Sequence, residues 1–148
     1  MELIIKTFQE LTTTELYEIL RTREAVFIVE QTCPYPEVDG KDYDAVHLCY
    51  AAEDRSVKAY LRLYWKADEP GTVQVGRVVT SADVRGTGMG RKILHDGINY
   101  SFDIMGAERL CLHAQVQASG FYAKQGFTIS SDIFPEDDIP HVEMRRGK

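Results

Sequence analysis

The sequence predicts an α/β fold of the α+β type, in which a mixed, mostly antiparallel sheet contains one parallel pair of strands. Two patterns predict it. Three β-rich runs near the middle of the chain are separated only by short turn clusters, which implies antiparallel neighbours. A long amphipathic segment follows and leads to another β-rich run. A strand, a helix and a strand in this order require a parallel crossover.

The first half of the chain is predicted to hold a helix, a long loop and the three clustered strands. A capping box at Thr12 and Glu15 opens a run with helical apolar spacing, so a helix is predicted over residues 13–23. A short helical segment, 25–30, and an acidic loop, 31–44, with a net charge of −3 come next. The strands are predicted over 45–52, 57–65 and 72–80.

The second half is predicted to alternate helices and strands. The best amphipathic helix spans 87–103, where apolar residues recur on one face: Met89, Ile93, Leu94, Ile98 and Phe102. A strand at 110–116 and a short helix at 119–125, closed by Gly126, should follow. Two final strands are predicted at 127–134 and 141–145.

Composition narrows the class of protein. The chain has 148 residues, 44% hydrophobic and 27% charged, so we expect one folded domain over residues 1–148. Its formal charge of −6 argues against nucleic acid or an anionic membrane as partner. No apolar run is long enough for a membrane span and the N-terminus does not resemble a signal peptide, so a cytoplasmic protein is expected.

The three cysteines indicate neither a metal site nor a disulfide framework. Cys33, Cys49 and Cys111 are odd in number and far apart in the sequence. We expect reduced, structural thiols and no bound metal.

The segment most indicative of chemistry is glycine-rich and lies at residues 84–92, just before the long helix. Its unpaired amides and the helix dipole would favour a phosphate group, and glycine lets that group approach the backbone. Residues 77–92 carry a net charge of +3. The alternative is a tight turn with solvated basic side chains. A Walker loop is excluded because no Gly-Lys-Ser/Thr follows the glycines. A Rossmann dinucleotide fingerprint is excluded because Gly88 and Gly90 are separated by one residue rather than two.

Arg85, Gly88 and Gly90 match the Arg/Gln-x-x-Gly-x-Gly/Ala motif, and the chain thereby resembles the GCN5-related N-acetyltransferase (GNAT) superfamily. Further stretches resemble its ElaA-like subgroup: 26–31, 33–35, 39–40, 121–122, 126–127 and 139–141. The resemblance covers nearly the whole chain. It implies the acyl-CoA N-acyltransferase fold, with a splayed parallel strand pair and helices on both faces of the sheet.

The resemblance also implies acetyl-CoA as cosubstrate. Backbone groups of Val78, Val79 and Thr80 would pair with pantetheine, and an N–H near Val79 would stabilise the thioester oxyanion. The pyrophosphate would be held by the amides of the glycine-rich segment: Arg85, Gly86, Thr87, Gly88, Met89, Gly90 and Arg91.

Two residues are candidates for proton chemistry. Tyr122 matches a tyrosine that faces the cofactor sulfur in many such enzymes, and it would hydrogen-bond the departing thiolate. His141 is the candidate base for the acceptor ammonium. A core tyrosine and a structural histidine are the alternatives. Weaker base candidates are Glu143, His113, His47, Glu30 and water.

We therefore expect an N-acetyltransferase that moves acetyl directly to a primary amine of a small molecule or peptide. Four acidic residues at 132–138 and the 31–44 loop would attract a cationic acceptor if they border its entrance; a solvated acidic face is the other interpretation. Superfamily members often dimerise, so a homodimer is possible. The competing functions are a CoA-binding regulatory module without turnover and an acyltransferase for longer acyl groups.

Overall fold

The computed structural model describes all 148 residues and contains one open, mixed sheet with three α-helices. The helices are α1 (Thr13–Arg23), α2 (Met89–Asp103) and α3 (Ser119–Ala123). The strands are β1 (Glu2–Thr7), β2 (Val46–Ala51), β3 (Val57–Trp65), β4 (Thr72–Thr80), β5 (Arg109–Gln115), β6 (Thr128–Ile129), β7 (Phe134–Glu136) and β8 (Ile139–Gly147).

The sheet order confirms the predicted crossover. The strands run β1-β2-β3-β4-β5-β8-β6, with β7 paired to β8. Every neighbouring pair is antiparallel except β4 and β5, which flank α2 in the chain and lie parallel. Their ladder is short and ends at Gln74 and Cys111. Beyond that point the two strands separate.

Helices cover both faces of the sheet, as predicted. Side chains alternate between the two faces of a strand, and on β3 Leu61 packs in the cluster that contains α2 whereas Tyr60 packs in the cluster that contains Ile19 of α1. Gly97 lets α2 approach β3 closely, because a Cβ there would lie 2.8 Å from Leu61 Cδ2. No helix combines the length and apolar character needed to cross a bilayer.

Several predicted boundaries differ from those in the structure: α3 ends at Ala123 rather than residue 125, and β8 spans Ile139–Gly147 rather than 141–145. The short helical segment predicted at 25–30 is helical, as a π-helix from Glu24 to Glu30 that continues directly from α1. α2 begins at Met89 rather than residue 87, because Gly88 caps it in the left-handed conformation. The strand predicted at 127–134 is replaced by β6 and β7. The Ser131 hydroxyl accepts a hydrogen bond from the Glu143 amide at 2.8 Å. This side-chain acceptor takes the place of a backbone carbonyl and interrupts the ladder.

A bulge distorts β4 where it leaves β5. The register between β3 and β4 shifts between Tyr60 and Arg62, opposite Arg77, whose φ of 52° is left-handed. Such bulges bend a strand and increase its twist. The bend lies just beyond the last pair that joins β4 to β5.

A buried ion network fixes the 31–44 loop to the sheet beside this bulge. It joins three guanidinium groups to three carboxylates: Arg23, Arg62, Arg77, Glu37, Asp39 and Asp42. Arg23 is fully buried and bonds Asp42 at 2.8 Å. Removing one partner of such a group leaves an uncompensated buried charge, which typically costs about 3–5 kcal/mol.

The network predicts acid-sensitive stability. Burial alone would raise the pKa of Asp39 and of Asp42. Hydrogen bonds and charges from the arginines lower it by a larger amount, so both pKa values lie below that of an ordinary aspartate. Groups with a depressed folded-state pKa stabilise the fold above the unfolded value, about 3.9, and that contribution is lost as the pH falls. We expect the urea midpoint to drop progressively below about pH 4.

Asp42→Asn should unfold more easily at pH 7, by about 3 kcal/mol, and should flatten the dependence below pH 4. Asp44→Asn removes the same charge from an exposed neighbour and is the control. A D42N protein whose midpoint follows the wild-type pH dependence would contradict this role.

Candidate active site

The separation of β4 from β5 opens a cavity of about 290 Å³ through the sheet. β4 forms one wall, with Val75 to Thr80, and β5 forms the other, with Leu112, His113 and Gln115. The 31–44 loop and the hairpin between β7 and β8 close one end. α3 contributes Tyr122.

The wall formed by β4 presents unpaired backbone groups. The Ser81 amide donates to the Lys58 carbonyl of the β3 side at 2.9 Å. Because backbone groups alternate along a strand, those of Thr80 and Val78 point to the opposite side, towards the cavity. The Thr80 carbonyl accepts a long hydrogen bond from Arg85 there. Val79 stands opposite Tyr60 in the ladder, with its side chain buried on the α1 face. By the same alternation its backbone groups point towards β3 rather than the cavity, unlike those of its two predicted partners in binding pantetheine.

The glycine-rich segment exposes amides at the start of α2. Gly86 and Gly88 have φ values of 78° and 86°, which glycine adopts without strain. No acceptor within the protein pairs with the amides of Gly86 and of residues 88–91. The amides of Arg85 and Thr87, which were also predicted to bind phosphate, instead donate to the Ala82 and Val84 carbonyls, at 3.4 and 3.3 Å. A second cavity, of about 430 Å³, lies at this helix end and is lined by six polar residues: Thr87, Gly88, Arg91, Lys92, His95 and Gln125.

The amide cluster and the β4 edge adjoin each other. A Cβ at Gly90 would lie 3.5 Å from Thr80 Cγ2 and 3.6 Å from the Phe121 ring. The first turn of α2 therefore packs between the end of β4 and α3. A ligand that follows the β4 edge would reach the amides directly.

The positive charge at this segment is more strongly neutralised than the sequence indicates. Arg77 pairs with Glu37 at 2.6 Å in the buried network. Arg85 is paired with Glu30, a hydrogen bond that raises the pKa of the guanidinium and lowers the pKa of the carboxyl. Arg91 and Lys92 are the basic residues that line the second cavity.

Tyr122 lines the first cavity from α3. Its ring packs edge-on against Phe121 and Phe127, with ring centroids 5.1 and 6.1 Å apart. Burial raises the pKa of its hydroxyl to about 12. The group is therefore a neutral phenol at physiological pH, able to donate a hydrogen bond but less acidic than an ordinary tyrosine.

His141 lines the same cavity from β8, and it is nearly buried. Its Nδ1 lies 2.7 Å from the Ile139 carbonyl oxygen, which only accepts, so Nδ1 is the protonated nitrogen. The other nitrogen, Nε2, lies 3.5 Å from a carboxylate oxygen of Glu136. The second oxygen of Glu136 lies 2.9 Å from Nδ1 of His113.

The other candidate bases have different surroundings. Glu30 lies outside this cavity in its pair with Arg85. His47 is buried between the Tyr60 hydroxyl and the Asp42 carbonyl, and burial lowers its pKa. Glu143 shares the face of His141, as predicted, but hydrogen-bonds Ser130 and Arg145.

The two acidic segments, 31–44 and 132–138, differ in where their carboxylates point. In the 31–44 loop, Glu37, Asp39 and Asp42 face arginines inside the protein, so most of that loop's charge is not directed at the entrance. In the second acidic segment, Glu136 and Asp137 line the cavity. The expectation of an acidic entrance therefore rests on the second segment.

Sequence reasoning missed the connection between Glu136 and the two histidines. Its signal is a hairpin turn: Asp137 and Asp138 both have positive φ, and aspartate tolerates that conformation in a two-residue turn. The turn folds β7 onto β8, which sets Phe134 opposite His141. His113, which alternation on β5 directs away from the core, then faces Glu136.

Comparisons with known proteins agree with this architecture. The family described as "Acetyltransferase (GNAT) domain" matches residues 25–147. A UPF0039 protein of Schizosaccharomyces pombe is 39% identical over 146 residues, covering 98% of this chain and 96% of that protein. A crystal structure of an acyl-CoA N-acyltransferase from Pseudomonas aeruginosa superposes with a TM-score of 0.90 at 38% identity, covering 99% of this chain and 100% of the other.

The resemblance to ElaA-like proteins is supported by both sequence and structure. Escherichia coli ElaA is 34% identical over 139 residues, covering 93% of this chain and 90% of ElaA. Its crystal structure gives a TM-score of 0.91 and covers 99% of both chains. The fold is thus that of the acyl-CoA N-acyltransferases, with the sheet opened at its one parallel pair. The chain belongs to the GNAT acetyltransferase family.

Proposed function

We propose that this protein transfers an acetyl group from acetyl-CoA directly to a primary amine. One observation carries the proposal: an unpaired β4 edge inside a cavity adjoins a cluster of unpaired amides at a helix N-terminus. Together they offer an extended site for an amide-containing chain that ends in a diphosphate. This is the chemistry of pantetheine and CoA.

The backbone supplies most of the binding groups for CoA. The backbone groups of Val78 and Thr80 would hold the pantetheine arm in the position of the missing strand, with Val79 between them paired to β3. The unpaired amides of Gly86 and of residues 88–91 would hold the pyrophosphate, helped by the positive end of the α2 dipole. Acetyl-CoA supplies an activated thioester.

Two side chains that line the cavity would take part in proton transfer and hydrogen bonding during the reaction. Tyr122 would donate a hydrogen bond to the departing sulfur, and its raised pKa favours donation over full proton transfer. His141 would accept the proton of the amine at Nε2, because Nδ1 donates to the Ile139 carbonyl. Neither role needs a metal ion.

The acceptor is proposed to be a cationic amine, either a small molecule or a side chain of a peptide. The exposed carboxylate of Asp137 and the half-buried one of Glu136 lie on the cavity wall. Both arginines on that wall are neutralised by Glu37 and Glu30. The local field therefore favours a cation over an anion.

The proposal is tested by following thiol release from acetyl-CoA with a panel of primary amines. We expect amine-dependent release and an acetylated product of matching mass. Tight CoA binding without release for any amine would favour a regulatory CoA-binding module instead. Faster thiol release from propionyl-CoA or a longer acyl-CoA would show that the transferred group is not acetyl. The proposed binding of CoA would be unaffected by that result.

Gly88 tests the placement of the pyrophosphate. Gly88→Val should weaken CoA binding at least about tenfold, or 1.4 kcal/mol, since a side chain would block the approach to the amides. Gly106→Val is the control for backbone strain, because Gly106 has a similar φ of 75° and a Cβ there would meet nothing within 4 Å. Calorimetric titration with CoA measures both proteins. Equal affinity loss in the two variants would attribute the effect to backbone strain.

Tyr122 tests the sulfur contact. Tyr122→Phe should reduce kcat about tenfold or more through the loss of a donor to the developing thiolate, with CoA affinity changed less than about twofold. Tyr100→Phe, in a half-buried residue of α2, controls for loss of a phenol elsewhere. A parallel fall in kcat and CoA affinity would assign Tyr122 to packing.

His141 tests the base. Wild-type kcat/KM should show a limb that rises with pH, because only the neutral ring of His141 accepts a proton. His141→Ala should lower kcat/KM and remove that limb, leaving a steady rise as the free amine becomes more abundant. An unaltered profile in the variant would exclude His141.

A further inference from the structure

Three side chains on the cavity wall are linked in a way that leaves two acceptor atoms facing each other. They come from three neighbouring strands: His113 from β5, Glu136 from β7 and His141 from β8. Phe134 packs against both imidazoles, edge-on to His113 at 5.2 Å and stacked on His141 at 6.2 Å between centroids. The arrangement is therefore held by packing as well as by hydrogen bonds.

The hydrogen bonds fix which atoms are donors. The Ile139 carbonyl accepts the proton of His141 Nδ1, so neutral His141 carries a lone pair on Nε2. The hydrogen bond from His113 lowers the pKa of Glu136, which keeps it a carboxylate. That carboxylate uses Oε1 to accept from His113 Nδ1, at 2.9 Å, and Oε2 remains.

The two remaining acceptors, His141 Nε2 and Glu136 Oε2, lie 3.5 Å apart. Two lone pairs at this distance repel unless a donor satisfies both. A protonated amine has several N–H donors on one atom, and ordinary N–H bonds of 2.7–3.2 Å to both acceptors are compatible with their spacing. Its positive charge would also meet the carboxylate.

We propose that Glu136 and His141 form the subsite that binds the ammonium group of the acceptor, and that His113 positions Glu136. This inference rests on the proposed function and names where its acceptor binds. One N–H of the ammonium donates to Glu136 and a second to His141. Transfer of that second proton to Nε2 breaks the N–H bond, and its electron pair stays on nitrogen as the attacking lone pair.

The same pair stabilises the product of the transfer. Once His141 carries two protons, its imidazolium stands 3.5 Å from the Glu136 carboxylate. A quaternary ammonium has no N–H and cannot use this subsite. The subsite thus selects amines that can donate at least two hydrogen bonds.

Other charged and titratable groups also face this subsite. From β4 Arg77 acts on Glu136, and its charge is balanced by Glu37. From the 31–44 loop, Cys33 and Tyr35 line the same cavity, as does Asp137 from the hairpin turn. Since these groups are present in every variant below, they enter all comparisons equally.

Butylammonium is the probe, and butyltrimethylammonium, with the same charge and chain but no N–H, is its control. Each is titrated into the full protein, with and without saturating CoA, while the ring nitrogens of His141 are followed by ¹⁵N NMR. We expect saturable perturbation of Nε2 by butylammonium alone. Equal perturbation by both cations would overturn the proposal, and so would no perturbation by either.

The free protein provides a second test. At pH 7.5 the ¹⁵N shifts should show a neutral His141 protonated at Nδ1 only. A doubly protonated ring would mean that His141 donates to Glu136 in a structural ion pair, which would overturn the assignment.

Variants separate the roles. Glu136→Gln should weaken butylammonium binding at least about tenfold, or 1.4 kcal/mol. Asp138→Asn removes an equal charge from the exposed turn two residues away and should change it less than about twofold. Equal losses of affinity in E136Q and D138N would show that the removed negative charge, rather than a contact with Glu136, weakens binding.

His113 is tested by rescue. His113→Leu should weaken binding about fivefold, because Glu136 loses the donor that orients it. His113→Asn keeps an N–H near the position of Nδ1 and should restore affinity to within about twofold. Failure of the asparagine variant to do so would show that His113 acts only through packing.

These outcomes are distinct from a failure of the proposed function. Absence of CoA binding in calorimetry, or of thiol release with any amine, would reject acetyl transfer. The butylammonium titration without CoA would still report on the subsite.

Discussion

The early separation of β4 from β5 is the constraint on which the rest of the structure depends. If parallel pairing continued past Gln74 and Cys111, the outer edge of β4 would be satisfied by β5 and the cavity would close. Because pairing stops there, backbone groups near Val78 and Thr80 remain available. The first turn of α2 packs beside the same strand end through Gly90. One interruption of the sheet therefore produces both the cavity and its continuity with the unpaired amides.

An opening in a sheet needs support from elsewhere, and the buried ion network supplies it. Arg77 occupies the bulge in a left-handed conformation that a non-glycine residue adopts at some cost, and Glu37 holds its side chain. Arg62 reaches Asp39 from β3. The network thereby couples the shape of β4 to a loop almost forty residues away in the sequence, which also forms part of the cavity wall.

Local patterns in the sequence were sufficient for the parts of the fold that depend on neighbours along the chain. The capping box at Thr12 gave the start of α1, and the sequence of strand, helix and strand gave the parallel pair. Pairing between distant segments left no such signal. Alternation on β5 placed His113 on the correct face, but nothing local indicated that Glu136 would meet it, because that contact depends on how the Asp137-Asp138 turn folds β7 onto β8. The same limit hid the pairing of Arg85 with Glu30 and overstated the free charge near the glycines.

The proposed function divides recognition between two kinds of group. The donor would be held chiefly by main-chain atoms, whose positions follow from the fold and tolerate many side chains. The acceptor would be held by side chains on β5, β7 and β8, and each of these depends on a single residue. Membership of the GNAT family therefore says much about the donor and little about the acceptor. In this chain the proposed subsite would make acceptor choice depend on the hairpin that carries Glu136, because that short element decides which polar atoms face the end of the cavity and how far apart they lie.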